Sequence, residues 1–295
     1  VSGDQAALAD LACFAALETA SHDLEPWAEL LAALHRSGIL DTEDVLWAVK
    51  LYNAYDDLGS ALSVLARWPS PKAWDAAPDR AEAAQYPCTQ ERRNLRGGLV
   101  LRHLADYAHQ LGGLPQAVWL RMPLCGDPAA DYDRLMSHLR TVWGVGRQSA
   151  FEWAEFTAKV IGLPVHASHA HLWESEGPRR SLQRLYGHPN PSPAWLDQRA
   201  RVCRDWLADT GTSLIWEDFE TVICDFNVMR DGRYYPGKHL ASIAEELTRV
   251  PAELERAARA AWTEVIPEPW CRIAPGIDPT KLGYYRDTGA IVSAP

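Results

Sequence analysis

The sequence has no two cysteines close together, no long apolar run and very little lysine, and each shortage excludes something. Its six cysteines (Cys13, Cys88, Cys125, Cys203, Cys224 and Cys271) are scattered. That spacing rules out a zinc ribbon, gives no local support for an iron–sulfur cluster and predicts free thiols in a reducing compartment. No apolar stretch reaches the roughly 18 residues of a membrane span. Residues 1–9 lack a basic region followed by an apolar one, so no secretory signal is read and a cytoplasmic, non-membrane protein is expected. Lysine occurs only at Lys50, Lys72, Lys159, Lys238 and Lys281, so nearly all positive charge is arginine. Arginine's planar fork suits bidentate phosphate contacts, although a GC-rich genome gives the same bias.

What is present is ordinary for a globular chain: 295 residues, 47% hydrophobic and 23% charged. That length supports a sizeable core, in one large domain or two lobes. The net charge of −10 argues against indiscriminate nucleic-acid binding, but a basic groove can lie within an acidic surface. Apolar residues recur at helical spacing over residues 4–17, 26–37, 43–55, 57–68, 99–111, 132–139, 147–161, 180–186, 194–209 and 238–264. Asp41 or Thr42 caps the third of these, and Pro251 breaks the last. Residues 69–87 read as a loop with a short helix, and residues 267–295 as extended and irregular. With little strand alternation and no repeat, the class is mainly α.

The sharpest local signal is Trp143-Gly144-Val145-Gly146-Arg147-Gln148-Ser149 between two helices. A Gly-apolar-Gly step permits positive φ and close approach. The amides that follow open a helix N-terminus, which attracts an anion, and Arg147 or Ser149 adds side-chain donors. Such a hairpin grips DNA by its backbone without reading sequence; the plain alternative is a tight turn with no ligand. Helix–GVGR–helix resembles the hairpin of the helix-hairpin-helix DNA glycosylase superfamily. That resemblance implies a glycosylase-like helical fold, two lobes around a cleft, with lobes near residues 1–115 and 116–265 and an irregular tail, 266–295. Those glycosylases usually carry a catalytic aspartate about twenty residues past the hairpin. Here the stretch is Val165-His166-Ala167-Ser168-His169-Ala170-His171-Leu172-Trp173, without aspartate, and the nearest acids are Glu174 and Glu176. Scaffold kept and chemistry changed is the reading.

Two further segments concentrate reactive groups. In Trp173-Glu174-Ser175-Glu176-Gly177-Pro178-Arg179-Arg180, Pro178 is expected at the first position of a helix, with Arg179 and Arg180 beside an anion and Glu174 as base, or else as a solvated helix start. In Arg230-Asp231-Gly232-Arg233-Tyr234-Tyr235-Pro236-Gly237-Lys238, tyrosines beside cations suit base stacking and phosphate holding, or else a core aromatic turn. With the runs Lys50-Leu51-Tyr52-Asn53-Ala54-Tyr55-Asp56 and Glu91-Arg92-Arg93-Asn94-Leu95-Arg96-Gly97-Gly98, these segments resemble the amino acid:DNA transferases, or α-glutamyl/putrescinyl-thymine pyrophosphorylases, of phages and their relatives. The resemblance covers about residues 40–250. It implies a reaction on double-stranded DNA carrying a modified thymine. A separate kinase pyrophosphorylates 5-hydroxymethyluracil, and the transferase displaces pyrophosphate with the amine of an amino acid or polyamine. It implies Arg92, Arg93, Arg179, Arg180, Arg233 and Lys238 at phosphates, and Glu174 or His169 as base. Tyr234 or Trp143 would meet the flipped base or backbone, and Gly144, Gly146, Arg147, Gln148 and Ser149 the DNA.

His166, His169 and His171 are not a recognised metal set and read as solvated or hydrogen-bonded; magnesium accompanying pyrophosphate remains an option. The competing readings are a glycosylase or lyase using Glu174, a non-catalytic DNA-binding module, and a purely structural helical protein.

Overall fold

The computed structural model describes residues 4–266; the irregular stretch expected over 267–295, with Cys271 and Lys281, lies outside them. Among the described residues every regular element is helical. In chain order the α-helices are α1 (Gln5–Ser21), α2 (Pro26–Arg36), α3 (Thr42–Tyr55), α4 (Leu58–Arg67), α5 (Pro71–Ala76), α6 (Gly98–Leu111), α7 (Gln116–Arg121), α8 (Pro128–Leu139), α9 (Arg147–Ile161), α10 (Glu176–Tyr186), α11 (Pro193–Asp209), α12 (Trp216–Arg230), α13 (Lys238–Glu246) and α14 (Ala252–Val265).

The starts are written in the sequence. Asp4, Asp41, Asp57, Ser70, Asp127 and Ser192 each accept first-turn amides with their side chains, and proline follows in α5, α8 and α11, where its missing N–H costs nothing. Asp41 and Asp44 complete a reciprocal capping box on α3. α7 has no counterpart among the expected helices, α8 begins at Pro128 rather than 132, and α10 and α12 differ too. α10 begins at Glu176, so Pro178 is its third residue rather than its first, still within the turn that lacks intrahelical N–H partners. α12 is a helix the spacing did not mark, because Glu217, Asp218 and Glu220 break the apolar pattern there.

The chain forms two compact units. One comprises residues 27–166 and 243–265. Its central helix α3 is apolar nearly all round, with ten buried residues from Val45 to Tyr55, as a helix surrounded by others must be. α4, α6, α7 and α9 pack on it. Aromatic rings fill the space: Tyr107 lies 5.3 Å from Trp153 and 5.6 Å from Trp119, centroid to centroid, and Trp27 stacks on Tyr52 at 3.7 Å. Among the described residues, the other unit comprises 4–26, 167–242 and 266. In it α12 packs against α10 and α1, with Phe14 5.7 Å from Phe226. A β-carbon at Gly177 would lie 2.8 Å from Cys224 Sγ, so a glycine permits the α10–α12 approach. The five cysteines among the described residues are free thiols.

Candidate functional site

The hairpin joins α8 to α9 in the first-described unit. Gly144 takes φ +85°, and a β-carbon there would lie 3.0 Å from Leu95 Cδ2 and 3.3 Å from His103 Nδ1. Both conformation and space therefore demand glycine. Gly146 is extended (φ −87°, ψ −173°), and nothing lies within 4 Å of its absent β-carbon. Its glycine leaves the N-terminus of α9 without a side-chain cap and with room for a close neighbour. Gln148 is exposed and Ser149 half-buried, whereas Arg147 is buried, its guanidinium 4.5 Å from the Phe151 ring.

Helix α6 holds the hairpin from behind. Trp143 N–H donates to Asp106 Oδ2 (2.7 Å), and its carbonyl accepts from His103 Nδ1 (2.6 Å). A carbonyl only accepts, so Nδ1 carries the imidazole proton and Nε2 is left to accept from the Lys50 amine, its close partner. Burial, and then Arg92 nearby, pushes Lys50 well below the usual amine range; burial and Lys50 do the same to His103. Burial thus disfavours the charged form of both, and the Lys50 nitrogen lies 4.0 Å from the Trp153 ring centroid. This buried pair was not singled out as a site from the sequence; its only signal is one lysine in the apolar run of α3.

Arg92, expected at a phosphate, is 2% exposed. Its guanidinium donates to the Asn53 carbonyl and pairs with Glu152, and Gln148 also donates to Glu152. Burial opposes its charge, but Glu152 and Asp56 outweigh burial and hold its pKa above the ordinary value. The charge is consumed inside the unit, tying α3 to α9. Arg93 and Arg96 are exposed.

The remaining candidates lie in the other unit. Trp173 is 50% exposed, and Glu174 is exposed on the short turn Leu172–Glu174. Arg179 donates to the Trp173 carbonyl at 3.1 Å, which brings it beside the segment carrying Glu174. Arg180 pairs with Glu176 at 2.6 Å, both well exposed. His169 shares a hydrogen bond with Ser168 Oγ (2.9 Å), and its ring stacks 3.9 Å from that of His171. His171 adopts φ +50°. His166 belongs to the first unit.

Tyr234, expected against a base, is instead buried at 6% exposure. Its hydroxyl lies 2.8 Å from Asp23 Oδ2 and 3.0 Å from Glu18 Oε2, both on fully buried acids. One hydroxyl proton cannot serve two carboxylates, so one acid must carry its own. Asp23 also accepts the amides of Gly237 (2.7 Å) and Leu240 (2.8 Å), which favours its ionised form. Glu18 is the acid pushed furthest toward its protonated form: burial, then Asp23 and Asp225, move its carboxyl well up. Burial raises Asp225 to about 6. Burial pulls His239 down, but Asp225 and Asp23 outweigh it and the imidazole ends above its usual value. Arg233 is exposed and pairs with Asp231 (3.3 Å), and Lys238 donates to the Arg233 carbonyl (2.9 Å). The tyrosine thus anchors a turn, with Arg233 exposed and the Lys238 amine 5.7 Å from the Tyr234 ring centroid.

Residues 80–233 match a family model described as amino acid:DNA transferase. The chain belongs to that family. No curated protein matches it. The match covers the hairpin, the Trp173–Arg180 segment and Arg233 together, and makes this chain a transferase acting on DNA. The transferase's fold is mainly α, in line with the sequence reading. No helix among the described residues is long and apolar enough to cross a membrane. No group of three or more His, Cys, Asp or Glu that could hold a metal ion occurs among them. Glu18 and Asp23, the buried acids that sequence reasoning missed, lie upstream of the match, and only Glu18's place inside an apolar helix hints at it.

Proposed function

We propose that this transferase displaces pyrophosphate from a 5-pyrophosphoryloxymethyluracil in double-stranded DNA with the amine of an amino acid or polyamine. A C–N bond forms at the 5-methylene carbon, its C–O bond breaks, the electron pair leaves on pyrophosphate, and the amine loses one proton. The observation that carries this reading is the family match, which spans both the hairpin and the Trp173–Arg180 segment.

The physical demands suit the residues present. The uncapped start of α9 offers backbone amides to a DNA phosphate without discriminating sequence. The leaving group carries several negative charges, and Arg179, Arg180 and Arg233, all in one unit, are its candidate partners. The exposed pairs Arg180–Glu176 and Arg233–Asp231 contribute little and exchange readily for a stronger anion. Glu174 or His169 is the candidate base for the amine proton. Arg92 and Tyr234 drop out of the phosphate and base sets, since their polar atoms are engaged inside their own units.

The test is to incubate the protein with duplex DNA carrying pyrophosphorylated hydroxymethyluracil and a pool of amines, then weigh the nucleosides. A heavier nucleoside with stoichiometric pyrophosphate is the expected outcome. Release of a free base would instead establish a glycosylase. Glu174→Gln and Arg179→Ala should lose product while retaining DNA affinity; a loss of affinity alone would reduce the protein to a binding module.

A further inference from the structure

We infer that Arg102 is a DNA-backbone contact, held in place by stacking on Trp143, and that with Arg93 and Arg96 it extends the hairpin into a broader phosphate-binding face. The inference rests on the hairpin reading above and deepens it.

Four observations meet here. Trp143 is fixed at both ends of its peptide, N–H to Asp106 and carbonyl to His103, so its ring has a defined place beside the GVG turn. The Arg102 guanidinium lies 4.0 Å from the centroid of that ring. A guanidinium stacked on an indole keeps its in-plane N–H donors pointing outward, the geometry that bidentate phosphate contacts use. Arg102 is itself exposed and, among the described residues, pairs with no carboxylate. The contrast is with Arg67, Arg80, Arg249 and Arg259 of the same unit, each neutralised by Asp or Glu.

The neighbouring loop supplies more of the same. Leu95 is the side chain a β-carbon at Gly144 would touch, so the 92–98 segment lies directly against the hairpin. Arg93 and Arg96 on that segment are exposed and pair with no carboxylate; they reach the backbone carbonyls of Gln90 (3.5 Å) and Cys88 (3.3 Å), and Arg96 also the Cys88 side chain. Nothing lies within 4 Å of the absent β-carbons at Gly97 and Gly98, so a strand can approach closely there too. In a chain of net charge −10, three unneutralised arginines beside an uncapped helix start suit a polyanion tracking across them.

The experiment measures binding of a short unmodified duplex by fluorescence anisotropy over a range of salt, using the full chain. Each phosphate contact contributes about 0.9 to the slope of log affinity against log salt. Arg102→Ala should weaken binding several-fold and make that slope shallower by about 0.9. Arg102→Lys should keep the slope but recover only part of the affinity, because lysine lacks the planar fork. Arg259→Ala, which removes an exposed arginine from α14, should leave the slope alone. Equal slopes for Arg102→Ala and the parent, with Gly146→Ala still weakening binding, would overturn the inference and leave the hairpin reading standing. If neither variant alters binding, the hairpin reading fails and takes the inference with it. A matching change for Arg259→Ala would assign the effect to net charge and also overturn it.

Discussion

The two glycines of the hairpin make opposite predictions from the same substitution. At Gly144 an alanine must hold φ +85°, a conformation that costs an L-residue about 1–2 kcal/mol. Its methyl must also fit 3.0 Å from Leu95 Cδ2 and 3.3 Å from His103 Nδ1, and overpacking of this kind costs about 1–3 kcal/mol. His103 cannot retreat easily, since both ring nitrogens are engaged. Together these give about 3 kcal/mol, or a fall in melting temperature of roughly 6–12 °C for a domain of this size. At Gly146 the backbone is extended and the space open, so alanine should change stability by no more than about 0.5 kcal/mol. The methyl would sit where a phosphate meets the first-turn amides of α9, so duplex affinity should fall while the melting temperature holds. Calorimetry and anisotropy on the two variants separate the effects. A Gly144→Ala protein as stable as its parent would refute the reasoning about the turn. A Gly146→Ala protein with full DNA affinity would refute the reasoning about the anion.

Further outcomes follow from other close contacts. At Gly59 a β-carbon would lie 2.4 Å from the Glu246 carbonyl oxygen; backbone cannot step aside as a side chain does, so Gly59→Ala should destabilise by at least about 3 kcal/mol in a denaturant melt, and a neutral result would contradict the packing of α4. Tyr234→Phe removes the hydroxyl linking Glu18 to Asp23 and should cost about 1–3 kcal/mol, with Asp23 keeping its two amides; near-native stability would mean that the hydroxyl is not shared. Burial, with Asp57 close by, raises Glu246 to about 8, so between its ordinary value of 4.5 and about 8 the unfolded chain has lost a proton that the folded one keeps. Stability should therefore decline as pH climbs through that window, by less than about 1.4 kcal/mol per unit, and level off above it. Glu246→Gln keeps an acceptor for the Leu58 amide, which now donates to Glu246 Oε2 at 2.6 Å, and should flatten the slope; an unchanged pH profile would assign it to another group.

The helical class, the hairpin and most helix starts were legible because local chemistry decides them. Glycine at Gly144, aspartate at Asp41 and serine at Ser192 act within a few residues of themselves. α9 runs over Arg147–Ile161, as its apolar spacing predicts. What stayed hidden depends on partners far along the chain. Arg92 sits in a basic run that suggests a phosphate, yet Asn53 and Glu152 claim it across 39 and 60 residues. Tyr234 lies in a turn that suggests base stacking, yet acids more than 200 residues upstream claim its hydroxyl. Lys50 and His103 stand 53 residues apart in the chain, and only the packing of α3, α6 and α9 around aromatic rings makes them a buried pair.

The clasp at Asp23 has a practical consequence for anyone trimming this protein. Its carboxylate stitches the chain just ahead of α2 to the chain at the start of α13, drawing together stretches from opposite ends of the described sequence. The shared family stretch, 80–233, contains neither of them. A fragment excised at those limits would strip α1 from α12, bare Phe226 to water and cut away α3, the hub on which α9 rests. The matched stretch ends inside the packing of each unit, so a protein cut at its limits should lose the partners on which α9 and α12 rest.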